Sequence, residues 1–444
     1  MRKTQKYLLK DVKTFKVKVG AWANSFSRVC YLESNGWQST FDCLVGIGQI
    51  GELFSSEDAS FESLKAFNEN KKDWLFGYFS YDLKNEIEAL HSENQDSLRF
   101  PELHFFQPRY VFIVQNKTLI IAYLEEHDSK GNIDEIFEKI KNGNEKSEMK
   151  RVKYPELNIN IKPRVTKEEY IDTVLKIKSH IRKGDIYEMN FCQEFYAEEI
   201  KINSIDIYFK LNEISKAPFS AFYRLEDKYI LCGSPERFLK KKGRKIISQP
   251  IKGTIRRGKT PLEDAALKLQ LYEDPKERSE NVMIVDLVRN DLSRTAAKGS
   301  VKVEELFGIY SFEQVHQMIS TVSAEIKEGI HFIDVIKNAF PMGSMTGAPK
   351  IKAMELIEKY GRTKRGVYSG AMGYITPDGN FDFNVLIRSI VYNTSNKYLS
   401  FMVGSAITDK SDPWQEYEEC LLKAKAMREA LNAEFRIQNS EFRM

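Results

Sequence analysis

The chain has 444 residues, of which 42% are hydrophobic and 29% charged, and its formal net charge is +4. That length exceeds one ordinary core and suits two packed lobes of a soluble globular protein. The small charge excess offers no basic footprint for nucleic acid or an anionic membrane surface, and no run approaches the length of a membrane span. Cys30, Cys43, Cys192, Cys232 and Cys420 form no CxxC pair, so neither a disulfide framework nor a zinc site is expected and a reducing cytoplasm is the default. The charged N-terminus, MRKTQKYLLKDVKTFKVKV, lacks the apolar stretch of a secretory signal.

Residues 1 to 125 read as β-rich. Phe15, Val17 and Val19 alternate with Lys16 and Lys18, which predicts a strand. The runs Arg109–Val114 and Thr118–Tyr123 flank Gln115-Asn116-Lys117 and predict a hairpin. From 131 to 165 the chain is polar and lysine-rich, with GNEKSEMKRVKYPELN at its centre, and reads as a linker. The expected division is an N-terminal lobe over 1–150 and a second domain over 160–435.

The second domain opens on a helix. Thr166 and Glu169 form a capping-box pattern, Tyr170, Val174, Ile177 and Ile181 share a face, and Gly184 suits the stop. In DIYEMNFCQEFYAE the apolar Tyr187, Met189, Phe191 and Phe195 alternate with Glu188, Asn190, Cys192 and Glu194. Periodicity alone favours a half-exposed strand with Glu188 in water. Ala221 to Phe238 predicts a hairpin that delivers Glu236 just past a Ser-Pro turn. SQPIKGTIRRG then places Lys252 between Pro250 and Gly253, an extended segment that turns sharply. A lysine at its ordinary pKa is neutral in only roughly one molecule in a thousand at neutral pH, so a nucleophilic role for Lys252 needs a perturbed site. Taken blindly, it is a solvated loop lysine.

Pro261 to Ser293 reads as one long helical region whose apolar stretch, Val282 to Val288, predicts burial on several sides. In FPMGSMTGAPKIKAMELI the glycine- and hydroxyl-rich loop precedes Pro349 at a helix start, where free N–H groups receive an anion or are simply capped. The Pro377-Asp378-Gly379 turn marks a hairpin, and Arg388, amid Val385, Leu386 and Ile387, needs a carboxylate from the protein or a ligand. Asp412 and Pro413 then open a helix that carries Glu416, Glu419 and Lys423 on one face. With Glu280 these carboxylates could form an oxygen-rich set of the kind Mg²⁺ prefers, although on spacing alone a solvated, charge-paired helix face is the better reading.

The segments GDIYEMNF, GSPERF, PIKGTIRRG, ENVMIVDLVRNDLSR, GSMTGAPK, RGVYSGAMGYI, FNVLIRSI and ExxExxxK, from Thr166 to Leu431 in this order, resemble the chorismate-utilising enzymes, the family of anthranilate, aminodeoxychorismate, isochorismate and salicylate synthases. The resemblance implies a two-lobed α+β fold with large, mainly antiparallel sheets packed around helices. PIKGT, with lysine where anthranilate synthases have alanine, is similar to the aminodeoxychorismate synthase branch of folate synthesis. The lysine that isochorismate and salicylate synthases use to activate water is replaced by Glu188.

The resemblance further implies Lys252 as nucleophile at C2 of chorismate and Glu236 as general acid. It implies Mg²⁺ on Glu280, Glu416 and Glu419. Tyr368, Arg388 and the backbone at Gly404 and Ala406 would grip the enolpyruvyl carboxylate, Thr346 and Lys423 the ring carboxylate, and His316 would stand by the leaving hydroxyl. Ammonia would come from a separate glutamine amidotransferase subunit. YLESNG, similar to the LLES element of a tryptophan pocket, implies a tryptophan site at Ser34. Glu188 departs from the glutamine usual in GDxYQxN, Ser405 and Ala406 from a glycine-rich pair, and Ser389 from threonine. The rival activity is that of anthranilate synthase component I; a rival of another class is a non-catalytic subunit that binds chorismate or tryptophan.

Overall fold

The computed structural model describes residues 1–37, 39–55, 59–143, 159–313 and 315–431. Its described strands join into one network of antiparallel ladders. The long strand Leu103–Gln115 is the branch point. One edge pairs with Cys43–Phe54, and the other pairs with Thr118–Tyr123 and then Leu75–Phe79. From Cys43–Phe54 one arm runs through Arg28–Glu33, Phe219–Leu225, Lys228–Ser234, Ser389–Asn393 and Tyr398–Ile407 to Glu188–Ala197. From Leu75–Phe79 the other runs through Ala371–Ile375, Phe381–Val385, Arg237–Lys242 and Lys245–Gln249 to Val315–Glu325. The ladders therefore bond strands on both sides of the expected boundary at 150–160.

Strand alternation sorts the core into three layers. Cys30, Phe76, Tyr78, Tyr223, Ile230 and Met372 point inward and pack the two arms against each other. Their neighbours Tyr31, Phe222 and Leu231 point the other way, under the helices Val12–Ala23, Lys167–Lys183, Ser204–Ser215 and Pro413–Ala430. Leu75, Phe79, Ala371 and Ile375 likewise face the helices Pro275–Ser293 and Phe332–Ala339. The mixed α and β architecture with large antiparallel sheets agrees with that implied by the family resemblance.

Several local expectations hold. The hairpin turns at Asn116-Lys117, with Gln115 opposite Thr118. Thr166 and Glu169 complete a capping box, and Gly184 closes that helix in the left-handed region at φ 83°. Others are corrected. Val12–Ala23 is a helix, not a strand: Asp11 caps it through the Thr14 N–H, and Phe15, Val19 and Ala23 form the buried stripe. A Cβ at Gly20 would come within 2.5 Å of the Phe209 ring, so glycine allows this helix to meet Ser204–Ser215. Lys130–Asn142 is a helix within the expected linker; the stretch 144–158 lies outside the described residues. The helical region over 261–293 breaks at Asp274-Pro275 into Pro261–Glu273 and Pro275–Ser293. Only one side of the second helix is buried: Val282 is 41% exposed while Ile284, Val285 and Val288 face the core. Arg388 lies just past the strand Phe381–Val385, at φ 52°.

Candidate active site

Lys252 reaches the site through a bulge. The register of Ile251–Arg256 against Val315–Glu325 shifts between Ile251 and Thr254, and Gly253 takes φ 92°. An extra residue supported by a left-handed glycine re-aims a side chain out of its ladder. Here it puts the Lys252 amine on the wall of a cavity of about 130 Å³. Glu236, on the link between Lys228–Ser234 and Arg237–Lys242, lies on the same wall.

Glu236 is 4% exposed, and burial pushes its carboxyl up to about 7 against the hydrogen bond from Ser344 and the charge of Lys252. A carboxyl that keeps its proton near neutrality can serve as a general acid. Lys252 is perturbed in the opposite sense to a resting nucleophile. Burial alone would lower its pKa, but the carboxylates of Glu188 and Glu280 outweigh that and hold the amine above the ordinary lysine value. Lys252 Nζ lies 2.5 Å from Glu188 Oε1. The expectation of Glu188 in water is thereby corrected: it is 1% exposed. The reason is tertiary, because the strand's polar face looks into the protein rather than out of it.

Two capped helices bring the other acids. Asp274 caps Pro275–Ser293 through the N–H groups of Lys276 and Glu277, and Asp412 caps Pro413–Ala430 through that of Gln415. Glu280, Glu416 and Glu419 reach the cavity wall from these helices. Glu280 Oε1 and Glu416 Oε2 are buried without a hydrogen-bond partner, and burial lifts Glu280 to about 8. Desolvated carboxylate oxygens without donors fit a hard divalent cation. Lys276 Nζ stands between them, 3.4 Å from Glu416 and 3.8 Å from Glu280. Glu419 turns to Lys423 at 2.6 Å, and among the described residues no three such side chains converge as a metal-binding group.

Tyr368, Arg388, Gly404, Ala406 and Lys423 line the same cavity. Arg388 makes no ion pair among the described residues; its Nη1 donates to the Lys423 carbonyl at 3.4 Å, and burial lowers its pKa. A half-buried guanidinium on a cavity wall without a carboxylate partner can receive an anionic ligand. A Cβ at Gly404 would come within 2.5 Å of the Phe191 carbonyl oxygen, so glycine is required by the close pairing with Glu188–Ala197. Ala406 continues the strand without a positive φ and its methyl is accommodated.

Two predicted residues are not on this wall. Thr346 is fully buried and its hydroxyl donates to the carbonyls of Met342 and Gly343. His316 faces away, bonded to Ser311 at 2.9 Å and to Asp264 at 3.0 Å. Its neighbour Gln317 lines the cavity instead, 3% exposed and with Oε1 unpartnered. Successive strand residues take opposite faces, so reading the segment one residue out exchanges the two. Lys276, Glu277, Asn190 and Ser344 also line the cavity without having been singled out for it. Lys276 carried a signal, since it stands four residues before Glu280 on one helix. Ser34 lies elsewhere, with Phe41, Phe219 and Tyr374, on a cavity of about 50 Å³, where its hydroxyl donates to the Asp42 carbonyl.

Residues 27–429 match the family described as chorismate binding enzyme. The chain is 33% identical over 364 residues to aminodeoxychorismate synthase component 1 of Bacillus subtilis (strain 168), covering 80% of this chain and 76% of that protein. It is 34% identical over 367 residues to anthranilate synthase component 1 of Aquifex aeolicus (strain VF5), covering 80% and 74%. A probable chloroplastic aminodeoxychorismate synthase of Oryza sativa subsp. japonica is 35% identical over 381 residues, 79% of this chain but 42% of that longer protein. Anthranilate synthase component I from Streptococcus pneumoniae TIGR4 shares the fold, with a TM-score of 0.72 at 24% identity over 96% of this chain and 92% of that one. The chain belongs to the chorismate binding enzymes.

Proposed function

We propose that the chain converts chorismate and ammonia to 4-amino-4-deoxychorismate, the precursor of 4-aminobenzoate in folate synthesis, as component I of an aminodeoxychorismate synthase. The observation that carries this reading is Lys252, the lysine of PIKGT, on one cavity wall with the buried acid Glu236. The relatives named aminodeoxychorismate synthase support it at the level of sequence.

Each residue has a part. Arg388, with Tyr368 and the backbone at Gly404 and Ala406, takes the enolpyruvyl carboxylate, and Lys423 the ring carboxylate. Mg²⁺ held by Glu280, Glu416 and Glu419 would supply a Lewis acid that neutralises charge on the ring carboxylate. Glu236 gives its proton to the C4 oxygen, which leaves as water, with Gln317 beside the leaving group. Lys252 Nζ bonds to C2 as the C4–O bond breaks and the diene shifts. Ammonia then adds at C4, the N–C2 bond breaks, and the lysine is expelled. By occupying C2, Lys252 directs nitrogen to C4 and away from the anthranilate route. A separate glutamine amidotransferase subunit is the proposed ammonia source.

The test is to incubate the protein with chorismate, Mg²⁺ and ammonium and then add a 4-aminodeoxychorismate lyase. Formation of 4-aminobenzoate is expected. Anthranilate in its place would assign the activity of the Aquifex relative's name, and chorismate binding without turnover would leave a non-catalytic subunit.

A further inference from the structure

The proposed covalent step has an unmet requirement. Lys252 can attack carbon only through a neutral amine, yet its surroundings hold it as an ammonium. Some group must take a proton from Nζ before the N–C2 bond forms and return one after the lysine leaves. Among the described residues one carboxylate is within ion-pair reach of that amine: Glu188, at 2.5 Å. Glu236 is engaged by Ser344 and is needed as the acid on the C4 oxygen, while Glu280 acts on Lys252 only at longer range.

The surroundings of Glu188 suit a base that serves the lysine. Glu188 does not line the cavity; it stands behind Lys252, which does. A carboxylate behind the nucleophile takes up a proton without presenting a bare charge to a substrate that carries two carboxylates of its own. Its second oxygen, Oε2, is buried without a hydrogen-bond partner. The backbone there is held tightly: Glu188 pairs with Ala348, and a Cβ at Gly347 would come within 2.2 Å of the Glu188 carbonyl oxygen. At 1% exposure water cannot compete for the proton.

Resting on the proposed function above, we infer that Glu188 is the catalytic base of the lysine: Oε1 accepts a proton from Lys252 Nζ, and the neutral amine so formed attacks C2. The balance closes within the site. The ion pair becomes a carboxylic acid and an amine. The amine's lone pair forms N–C2, the diene shifts, and the C4–O bond breaks with the Glu236 proton on the departing water. When ammonia adds at C4, the N–C2 electrons return to nitrogen, Lys252 leaves as a neutral amine and Glu188 gives its proton back, while the ammonium formed at C4 returns a proton to the Glu236 carboxylate. At rest the pair is inert, so the exposed cavity carries no free nucleophilic lysine.

The experiment is rapid-quench mass spectrometry of the Lys252 adduct formed from chorismate and Mg²⁺ without ammonium. Glu188→Gln, isosteric and unable to accept the proton, is expected to slow adduct formation about 100-fold or more, the usual scale of a positioned base. Formate is expected to restore part of the rate to Glu188→Ala, which a purely structural role would not permit. Glu188→Asp keeps the charge that pairs Lys252, so it gives the same reading, slower adduct formation in a folded protein, should the glutamine variant not fold. A wild-type rate in Glu188→Gln overturns the assignment while leaving the covalent reading intact. So does a slowing matched by an equal loss of chorismate affinity with no response to formate. Product formed by the wild type without any Lys252 adduct overturns the covalent reading and this inference with it.

Discussion

Ser344 Oγ donates a 2.6 Å hydrogen bond to Glu236 Oε1. The bond favours the ionised carboxylate, whereas burial, the larger effect, favours the acid and carries the group from 4.5 to about 7. In its proposed role as general acid Glu236 must be protonated, so kcat/KM is expected to fall as pH rises through about 7. Ser344→Ala removes the support for the carboxylate and should move that alkaline limb upward. A bond to a charged group worth about 1.5 kcal/mol corresponds to roughly one pH unit. The same linkage acts on stability. The folded chain holds this proton more tightly than the unfolded one, so Glu236's contribution is present below 4.5 and lost as pH rises to about 7. A pH–rate profile of the two proteins checks the direction; a downward move would remove Glu236 from the acid's role.

The ion pair of Lys252 and Glu188 makes a second expectation. Both side chains are buried, at 8% and 1% exposure. Removing one partner of such a pair leaves an uncompensated charge and costs about 3–5 kcal/mol, while replacing both with neutral groups of similar volume costs little. Lys252→Met should therefore lower the urea midpoint sharply, and Lys252→Met with Glu188→Gln should recover most of it. Activity behaves differently: neither protein should make 4-amino-4-deoxychorismate. Under the proposed mechanism Lys252→Ala leaves C2 open, so any residual turnover should shift towards anthranilate, read by its fluorescence.

What was legible in the sequence was local. The Thr166–Glu169 box, the Asn116-Lys117 turn and the Asp412-Pro413 start each need only neighbours along the chain, and each is in place. The residues gathered around Lys252 are legible only as members of motifs, because spacing alone makes Glu416 and Glu419 a solvated helix face and does not single out Glu280. Failures arose where tertiary context decides. Phe15 and Val19 satisfy a period of two and a helical i, i+4 step alike, and the Asp11 cap settles it. Glu188 reads as exposed along the strand because its partner is 64 residues away. His316 and Gln317 differ by one position, yet that is the whole difference between the two faces of a strand. The break at Asp274-Pro275 was readable, since a capping aspartate before proline is a start signal inside an otherwise continuous pattern.

Arg388 makes a third expectation, in which binding and stability separate. Its half-buried guanidinium has no carboxylate within ion-pair distance among the described residues, and the charge of Glu419 only partly offsets its loss of water. Arg388→Met should weaken chorismate binding roughly 10- to 100-fold, the scale of about 1.5–3 kcal/mol for a hydrogen bond to a charged group. The melting temperature should hold or rise, because a desolvated cation without an anion is removed. Arg388→Lys is not a conservative control, since a lysine lacks the planar fork that fits a carboxylate. Calorimetric titration with chorismate and a thermal melt suffice. A fall in melting temperature with unchanged affinity would make Arg388 a structural residue only.

The last expectation concerns Lys276, whose ammonium bridges Glu416 at 3.4 Å and Glu280 at 3.8 Å. Each acid keeps one buried oxygen without a partner, so the pair is under-neutralised even with this lysine present. Those two carboxylates and Lys276 depend on one another: burial opposes the ammonium, but the acids hold it above the ordinary lysine value. Lys276→Met leaves two facing acids with no cation and should lower the melting temperature in the presence of a chelator. If the same oxygens take Mg²⁺, added Mg²⁺ should raise the melting temperature of Lys276→Met more than that of the wild type. A ligand at 100 times its dissociation constant contributes about 2.7 kcal/mol to the folded state. The half-saturating Mg²⁺ concentration should also fall, because no ammonium competes for the oxygens. Glu416→Gln in the same background should abolish the response. A melting temperature that ignores Mg²⁺ in Lys276→Met would place the ion elsewhere or nowhere in this site.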